Sequence, residues 1–222
     1  KSEFLSRMSH DIRTPMNAII GMTTIASTHL DDKERIADCL GKIAVSSKHL
    51  LSLINEVLDM SKIESGKIDL SEEEFNLSDL IENLLTMIRP SLQAKSHELE
   101  LSIARVEHEE VIGDVMRLQR VFMNLLGNAV KYTPEGGRLD LEIAEKESKI
   151  HGYGCYEFIF RDNGIGMDEE FQKKIFEPFS REEDADVSKI EGTGLGMTIA
   201  QNIVHMMGGN IRVESEKGKG SQ

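Results

Sequence analysis

The chain has 222 residues, of which 39% are apolar and 29% charged, and it holds 18 glycines. That composition fits a globular protein of one or two domains and excludes fibrous and wholly disordered classes. The formal net charge is −13; residues 1–65 hold 8 basic and 9 acidic side chains, so nearly all the excess falls in residues 66–222. A surface that negative opposes nucleic acid and anionic membranes as partners. Two cysteines far apart in sequence, Cys39 and Cys155, cannot build a disulfide framework and suit a reducing compartment. No apolar run approaches the roughly 18 residues of a spanning helix, and no signal peptide opens the chain, so a soluble piece without direct membrane contact is expected. Lys1 in place of an initiator methionine points to a segment of something longer.

Residues 1–65 lack strand alternation. Leu5, Met8, Ile12, Pro15, Ile19, Met22 and Ala26 are separated by alternating steps of three and four. Ile36, Leu40, Ile43, Ser47, Leu50, Ile54, Val57 and Ser61 follow the same rule. Two amphipathic helices joined near Asp31-Asp32-Lys33 are predicted, forming an antiparallel hairpin. One hairpin has a narrow seam, so two copies are expected to make a dimeric four-helix bundle; packing on the rest of its own chain is the alternative.

A hinge is expected at Glu64-Ser65-Gly66-Lys67, dividing a domain of residues 1–65 from one of residues 66–222. Beyond it, Leu77–Leu92 has helical spacing with Asn76 or Ser78 as cap, and Leu99–Ile103 alternates as a strand. Asp114–Tyr132 is predicted helical and Thr133-Pro-Glu-Gly-Gly a turn. Arg138–Glu145 and Tyr156–Asp162 are predicted strands, the second running into Asp-Asn-Gly-Ile-Gly. Residues 180–193 are polar and long enough for a lid. A helix over Leu195–Met207, stopped by Gly208-Gly209, and a last strand over Asn210–Ser215 complete an α+β chain whose second domain is a two-layer α/β sandwich.

His10 lies roughly 200° round the helix from Met8 and from Ile12, which turns it away from the seam. The Asp11 carboxylate can hold one imidazole N–H and leave the other nitrogen free as a nucleophile. Pro15 cannot donate to the carbonyl of Asp11, so a bend is expected where these two residues sit. Taken alone, an exposed helical histidine is more often plain surface. Asn124, Asn128 and Lys131 share one stripe of their helix, suited to hydrated magnesium and phosphates, although taken alone a solvated polar stripe is the better account. Asp162 at a strand end can accept from an adenine amino group, and Gly164 and Gly166 let backbone approach a flat base. Gly192-Thr-Gly-Leu-Gly-Met opens a helix, where N–H groups favour phosphate. For Phe176 and Phe179 a core or hinge anchor is the default.

In this order and spacing, the motifs resemble the catalytic core of the sensor histidine kinases of two-component systems. Phe4-Leu-Ser-Arg-Met-Ser-His-Asp-Ile-Arg-Thr-Pro is similar to that family's phospho-acceptor box, and Asn124-Leu-Leu-Gly-Asn-Ala-Val-Lys-Tyr-Thr to its asparagine box. Asp162-Asn-Gly-Ile-Gly-Met, Phe176-Glu-Pro-Phe and Gly192-Thr-Gly-Leu-Gly-Met resemble its remaining ATP-site boxes. The resemblance implies a dimerisation and histidine-phosphotransfer hairpin (HisKA type) followed by a GHKL (Bergerat-type) ATP-binding domain. It makes His10 the phospho-acceptor, Asp11 its general base and Asn128 the ligand of Mg²⁺, with Asn124 beside it. Lys131 and Arg181 would touch phosphates, Tyr132 would line the pocket and Asp162 would read adenine. Gly164, Gly166, Gly192, Gly194 and Gly196 would give close approach, and Thr14 matches the position that orients water for dephosphorylation of the regulator.

The activity so implied is ATP-dependent phosphorylation of His10 and transfer to an aspartate of a response-regulator receiver domain, within a homodimer. The place implied is the cytoplasmic part of a membrane-anchored sensor. Family members continue past Gly-Lys-Gly-Ser with a final strand, whereas this sequence ends at Gln222, so either the segment was cut or an edge of the sheet is missing. ATPases of the gyrase, mismatch-repair or chaperone type share the glycine boxes, but carry a glutamate where Asn124 stands and lack the hairpin. A dimeric scaffold that binds nucleotide only to change shape is the non-catalytic alternative.

Overall fold

The computed structural model describes residues 2–64, 69–182 and 192–222, without the side chains of residues 2–7 and 64. Ser65-Gly66-Lys67 of the expected hinge at Glu64-Ser65-Gly66-Lys67, the Phe4–Arg7 side chains of the first motif and residues 183–191 of the expected lid lie outside the described residues. The chain divides into two compact units, Lys1–Ile68 and Asp69–Gln222.

The first unit is a hairpin of α1 (Ser2–Thr28) and α2 (Lys33–Glu64). Asp32 starts α2 by accepting the Arg35 N–H at 3.0 Å, an ordinary N-cap. Helix α1 runs unbroken through Pro15, which is buried, as is Met8, while Ile12, Ile19, Met22 and Ala26 are half-buried. On α2 the covered stripe differs from the predicted one. Cys39, Leu53 and Met60 are buried and Ile43, Ser46, Leu50 and Val57 half-buried, whereas Leu40, Ser47, Ile54 and Ser61 are exposed. The predicted seam therefore took one edge of the covered stripe together with a neighbouring apolar edge that is open. Both edges obey the same steps of three and four, so periodicity alone cannot separate them.

The second unit begins with β1 (Glu73–Asn76), which pairs antiparallel with β3 (Glu110–Gly113); sequence alternation marked neither strand. Asn76 then caps α3 (Leu77–Ala94), accepting from Ser78 N at 2.8 Å and Asp79 N at 3.3 Å. Leu77, Leu80, Ile81, Leu84, Ile88 and Leu92 form its buried face. Strand β2 (Glu98–Ile103) leads by way of β3 to α4 (Val115–Tyr132), and α4 returns the chain to β4 (Arg138–Lys146), parallel to β2. β5 (Cys155–Asp162) pairs antiparallel with β4.

A short helix, α5 (Glu169–Gln172), follows β5, capped by the Asp168 carboxylate on Phe171 N at 2.7 Å. α6 (Gly196–Met206) ends where predicted: Gly208 takes φ +76°, and the N–H groups of Gly208 and Gly209 bond to His205 O and Val204 O. The five-stranded sheet has the order β2-β4-β5-β7-β6, with β6 at Ser215–Glu216 and β7 at Gly220–Ser221.

The expected strand over Asn210–Ser215 is therefore reduced to its end. Ser215 pairs with Ser221, Glu216 with Gly220, and Glu214 exchanges both backbone bonds with Gln222.

The core lies between helices and sheet. Leu84 and Leu126 are fully buried with Leu139, Leu141, Ile199 and Ile203. Phe122 of α4 meets Phe158 and Phe160 of β5 at ring-centroid distances of 4.5 and 5.6 Å. These two rings sit two residues apart on β5, as a half-buried strand requires. The other sheet face is charged, with Arg161 on Glu142 at 2.9 Å and Arg138 on Glu100 at 2.6 Å.

Asp114 fixes where α4 starts. Its carboxylate accepts from Arg117 N at 3.0 Å, Arg117 Nε at 2.8 Å and Ser71 N at 3.2 Å. Burial alone would push this carboxyl up; the N–H groups of Arg117 and Ser71 and the Arg117 guanidinium outweigh it and hold the carboxyl below its ordinary value. A depressed carboxylate contributes stability above its unfolded-state pKa and loses it as pH falls through the folded-state one. Asp114→Ala should lower the unfolding free energy by about 1–2 kcal/mol at neutral pH. In urea titrations followed by circular dichroism, the gap from wild type should narrow in acid; a gap independent of pH would contradict this role.

Candidate functional site

The hairpin presents His10 with its side chain 79% exposed and Nδ1 3.3 Å from Asp11 Oδ1. Neighbouring helical side chains usually diverge, but these two meet. With Asp11 accepting the Nδ1 proton, Nε2 keeps its lone pair and faces solvent. Thr14, one turn on, donates from Oγ1 to His10 O at 3.2 Å, which leaves lone pairs on the hydroxyl oxygen. The three predicted hairpin residues thus share one exposed stretch of α1.

In the second unit, the half-buried stripe of α4 faces the start of α6. Asn124 Nδ2 donates to Gly196 O at 3.1 Å, and among the described residues Asn128 has no hydrogen-bond partner for its amide. Lys131 Nζ lies 4.7 Å from the centroid of the Tyr132 ring. A Cβ on Gly192 would come within 2.5 Å of that same ammonium, so the glycine box lies against it. The first turn of α6 has no side-chain cap, since Leu195 holds the N-cap position. Its amides are therefore placed for an anion. Arg181 is exposed at the start of the polar stretch.

Asp162 ends β5 with Oδ1 accepting from Gly164 N at 2.9 Å. Burial pushes its carboxyl up, and the backbone N–H groups of Gly164 and Ser221 partly offset this. Ile165 N donates to Tyr132 O at 3.2 Å, which ties the Asp-Asn-Gly-Ile-Gly loop to the end of α4. Between them Thr133, 1% exposed, has a buried Oγ1 with no partner. A Cβ on Gly164 would meet Tyr132 O at 2.6 Å, Asp162 Oδ1 at 2.8 Å and Thr133 Oγ1 at 3.0 Å.

Two of the predicted glycines are required by the fold itself. Gly166, at φ +63°, is pressed against its own chain, where a Cβ would sit 2.0 Å from Glu216 O. Gly194, at φ +71°, is pressed against the Phe179 backbone, and Phe179 N donates to Gly194 O at 3.0 Å. Both need a left-handed backbone and the absence of a Cβ so that the loops can close on each other. Gly196 meets the Asn124 side chain at ordinary distance, 3.6 Å.

Sequence patterns gave no sign of Lys95 or Gln172, and gave Thr133 no role of its own at the end of the asparagine box. Gln172 completes the loop: Nε2 donates to Ser215 O at 2.8 Å and Oε1 accepts from Ser215 N at 3.2 Å, as a neighbouring strand would. Lys95 Nζ donates to three carbonyls at the end of α4. Both act on backbone far away in sequence, and neither spacing nor residue type announces such a partner.

Chemically, these groups make a half-buried acceptor beside an unpaired hydroxyl, next to a cation and an uncapped helix end. They suit a purine carrying a polyphosphate. Among the described residues no group of three His, Cys, Asp or Glu side chains is placed to hold a metal. A magnesium ion that keeps most of its waters needs few protein oxygens, and the unpartnered Asn128 amide fits that demand.

Fold and site together define an ATPase-type nucleotide domain on the same chain as a phospho-acceptor hairpin. A model of the histidine kinase-, DNA gyrase B- and HSP90-like ATPase matches residues 113–222, and a model of the His Kinase A (phospho-acceptor) domain matches residues 1–66. The chain belongs to the sensor histidine kinases. The signal transduction histidine-protein kinase BarA of Escherichia coli K12 is 41% identical over 223 residues, covering 100% of this chain and 24% of BarA. The chain spans about a quarter of the length of the curated relatives it matches.

Full-length ShkA, solved in complex with AMPPNP, is 30% identical with a TM-score of 0.70, over 99% of this chain and 44% of ShkA. The histidine kinase ThkA, solved in complex with the response regulator protein TrrA, is 25% identical with a TM-score of 0.70, over 99% of this chain and 59% of ThkA. No helix among the described residues is long and apolar enough to cross a membrane.

Gly164→Ala should drive a methyl into the Tyr132 carbonyl and the Asp162 carboxylate. Calorimetric titration with ADP is expected to show affinity lower by about tenfold or more, a loss of at least roughly 1.4 kcal/mol, with the far-ultraviolet spectrum unchanged. Wild-type affinity in this variant would mean that the loop does not border the nucleotide.

Proposed function

We propose that this segment transfers the γ-phosphoryl group of MgATP to Nε2 of His10 and then passes it to an aspartate of a response regulator. The observation that carries the proposal is the exposed imidazole of His10, held at Nδ1 by Asp11 on a chain that also carries a nucleotide cradle. The Nε2 lone pair attacks the γ-phosphorus, the bond to the bridging oxygen breaks, and ADP departs. Asp11 stabilises the positive ring and takes the Nδ1 proton as the phosphoramidate forms. Asp162 accepts the adenine amino N–H, a donor that guanine lacks at that position, and the Thr133 hydroxyl lies beside it. Lys131, the uncapped amides of α6 and Arg181 meet the phosphates, and Tyr132 lines the pocket.

The Asn128 amide oxygen, with Asn124 beside it, would hold Mg²⁺, whose contribution is to neutralise phosphate charge. Such catalysis is mostly positioning and charge neutralisation. AMPPNP in ShkA and TrrA on ThkA, both reported for relatives with this fold, support the choice of nucleotide and partner.

The open apolar edge of the hairpin supports a homodimer. Met16 and Ile20 on α1, and Leu40, Ile54 and Leu58 on α2, are 40% or more exposed, and a second hairpin would cover them in a four-helix bundle. In the full-length protein this segment would stand on the cytoplasmic side of a membrane-anchored sensor.

Thr14 extends the proposal to removal of phosphate from the regulator. Its hydroxyl donates to His10 O, so its lone pairs can hold a water in line with an aspartyl phosphate docked over His10. It has no part in the attack by the imidazole.

His10→Gln should abolish labelling by γ-labelled ATP and leave ADP affinity within about twofold of wild type; retained labelling would sink the assignment. Thr14→Ala should keep autophosphorylation and lose regulator dephosphorylation when the two are assayed separately. Equal loss of both would show a helix defect, because the Thr14 bond to the His10 carbonyl would then be the contact that matters.

A further inference from the structure

Lys95 lies in the turn between α3 and β2, as the residue that closes α3, and its part-buried ammonium spends all three donors on carbonyl oxygens. Nζ donates to Val130 O at 2.8 Å, Lys131 O at 2.9 Å and Thr133 O at 3.1 Å. Among the described residues no carboxylate pairs with it. Its positive charge is met by the negative end of α4, which a cation at a helix C-terminus complements.

These bonds complete the last turn of α4. Ala129 O accepts from Thr133 N at 3.1 Å, and Tyr132 O accepts from Ile165 N at 3.2 Å. Val130 O, Lys131 O and Thr133 O would otherwise face a half-buried surface without a donor, at a cost in free energy. The same segment is held from outside the ammonium as well, by Gly136 N on Lys95 O at 2.8 Å and Glu98 N on Gly137 O at 3.0 Å.

We infer that Lys95 is a positioning residue of the nucleotide site: its ammonium tripod sets where Lys131, Tyr132 and Thr133 stand and, through the Tyr132 carbonyl, where the Asp162 loop lies. This rests on the proposed nucleotide function. The three N–H groups of an ammonium point to the corners of a tripod, and here each corner has a carbonyl. A guanidinium is a flat fork and meets at most part of that set, although it keeps the charge. Methionine keeps the length of the stem and removes every donor.

The test measures steady-state autophosphorylation of the 222-residue chain against ATP concentration for wild type, Lys95→Met and Lys95→Arg, with thermal unfolding followed in parallel. Lys95→Met should raise the KM for ATP by about tenfold with kcat within about threefold, since ground-state placement of the nucleotide is what it disturbs. Lys95→Arg should recover most of this, leaving KM about two- to fivefold above wild type.

A purely structural cap would lower the unfolding temperature and leave KM within twofold in both variants, and that result overturns the inference. Should Lys95→Met fail to fold, Lys95→Arg decides alone: a raised KM supports the tripod, and a wild-type KM refutes it. Wild-type protein that binds no ATP would remove the nucleotide reading itself, an outcome separate from a wild type that binds and variants that match it.

Discussion

The end of a helix leaves carbonyl oxygens that the helix cannot satisfy, and in α4 the means of satisfying them organises the catalytic unit. Tyr132 O takes the Ile165 amide, which draws in the loop after Asp162. Val130, Lys131 and Thr133 offer their oxygens to Lys95, which draws in the turn between α3 and β2. Thr133 is buried in the middle, with its hydroxyl left unpaired beside the Asp162 carboxylate. A single helix terminus thereby joins the polar stripe of Asn124, Asn128 and Lys131 to the Asp162 carboxylate at the end of β5.

The second constraint is close approach of backbone to backbone. Gly166 lets the Asp-Asn-Gly-Ile-Gly loop touch the β6–β7 hairpin, where Gly218 N reaches Ile165 O at 2.7 Å. Gly194 lets the second glycine box touch Phe179, whose own φ of +63° shows how tightly that turn is drawn. The glycines that resemble a nucleotide fingerprint thus do half of their work on the protein itself. They close the loops that carry Asp162, Gly164 and the first turn of α6 on their neighbours.

Much of this was legible in the sequence wherever the cause was local. Helices α3 and α4 followed from apolar spacing, with Asn76 one of two cap candidates for α3, and the end of α6 followed from Gly208-Gly209. The His10 and Asp11 pair followed from adjacency on a helix turned away from the seam. What escaped depends on distant partners. Strands β1 and β3 are four residues each and pair across more than thirty positions of chain. Of the strand expected at residues 210–215, Ser215 is the residue found in a ladder, because pairing depends on a partner strand and not on a segment's own alternation. The covered stripe of α2 could not be told from the open edge beside it, since both repeat with the same period. Lys95, Gln172 and Thr133 make bonds to backbone or none at all, and backbone partners leave no trace in residue type.

The two units divide the chemistry. In the proposed reaction the hairpin would contribute the nucleophile and its carboxylate, and the sandwich the cradle and the positive charge. The proposed reaction puts phosphorus on nitrogen, and this distinguishes it from transfer to serine, threonine or tyrosine. The most direct measurement is incubation of the chain with γ-labelled ATP, followed by treatment of the labelled protein with acid and with alkali. A phosphoramidate on His10 predicts label lost in acid and retained in alkali. Label that survives acid and is lost in alkali, or nucleotide bound with no label transferred, would contradict the account.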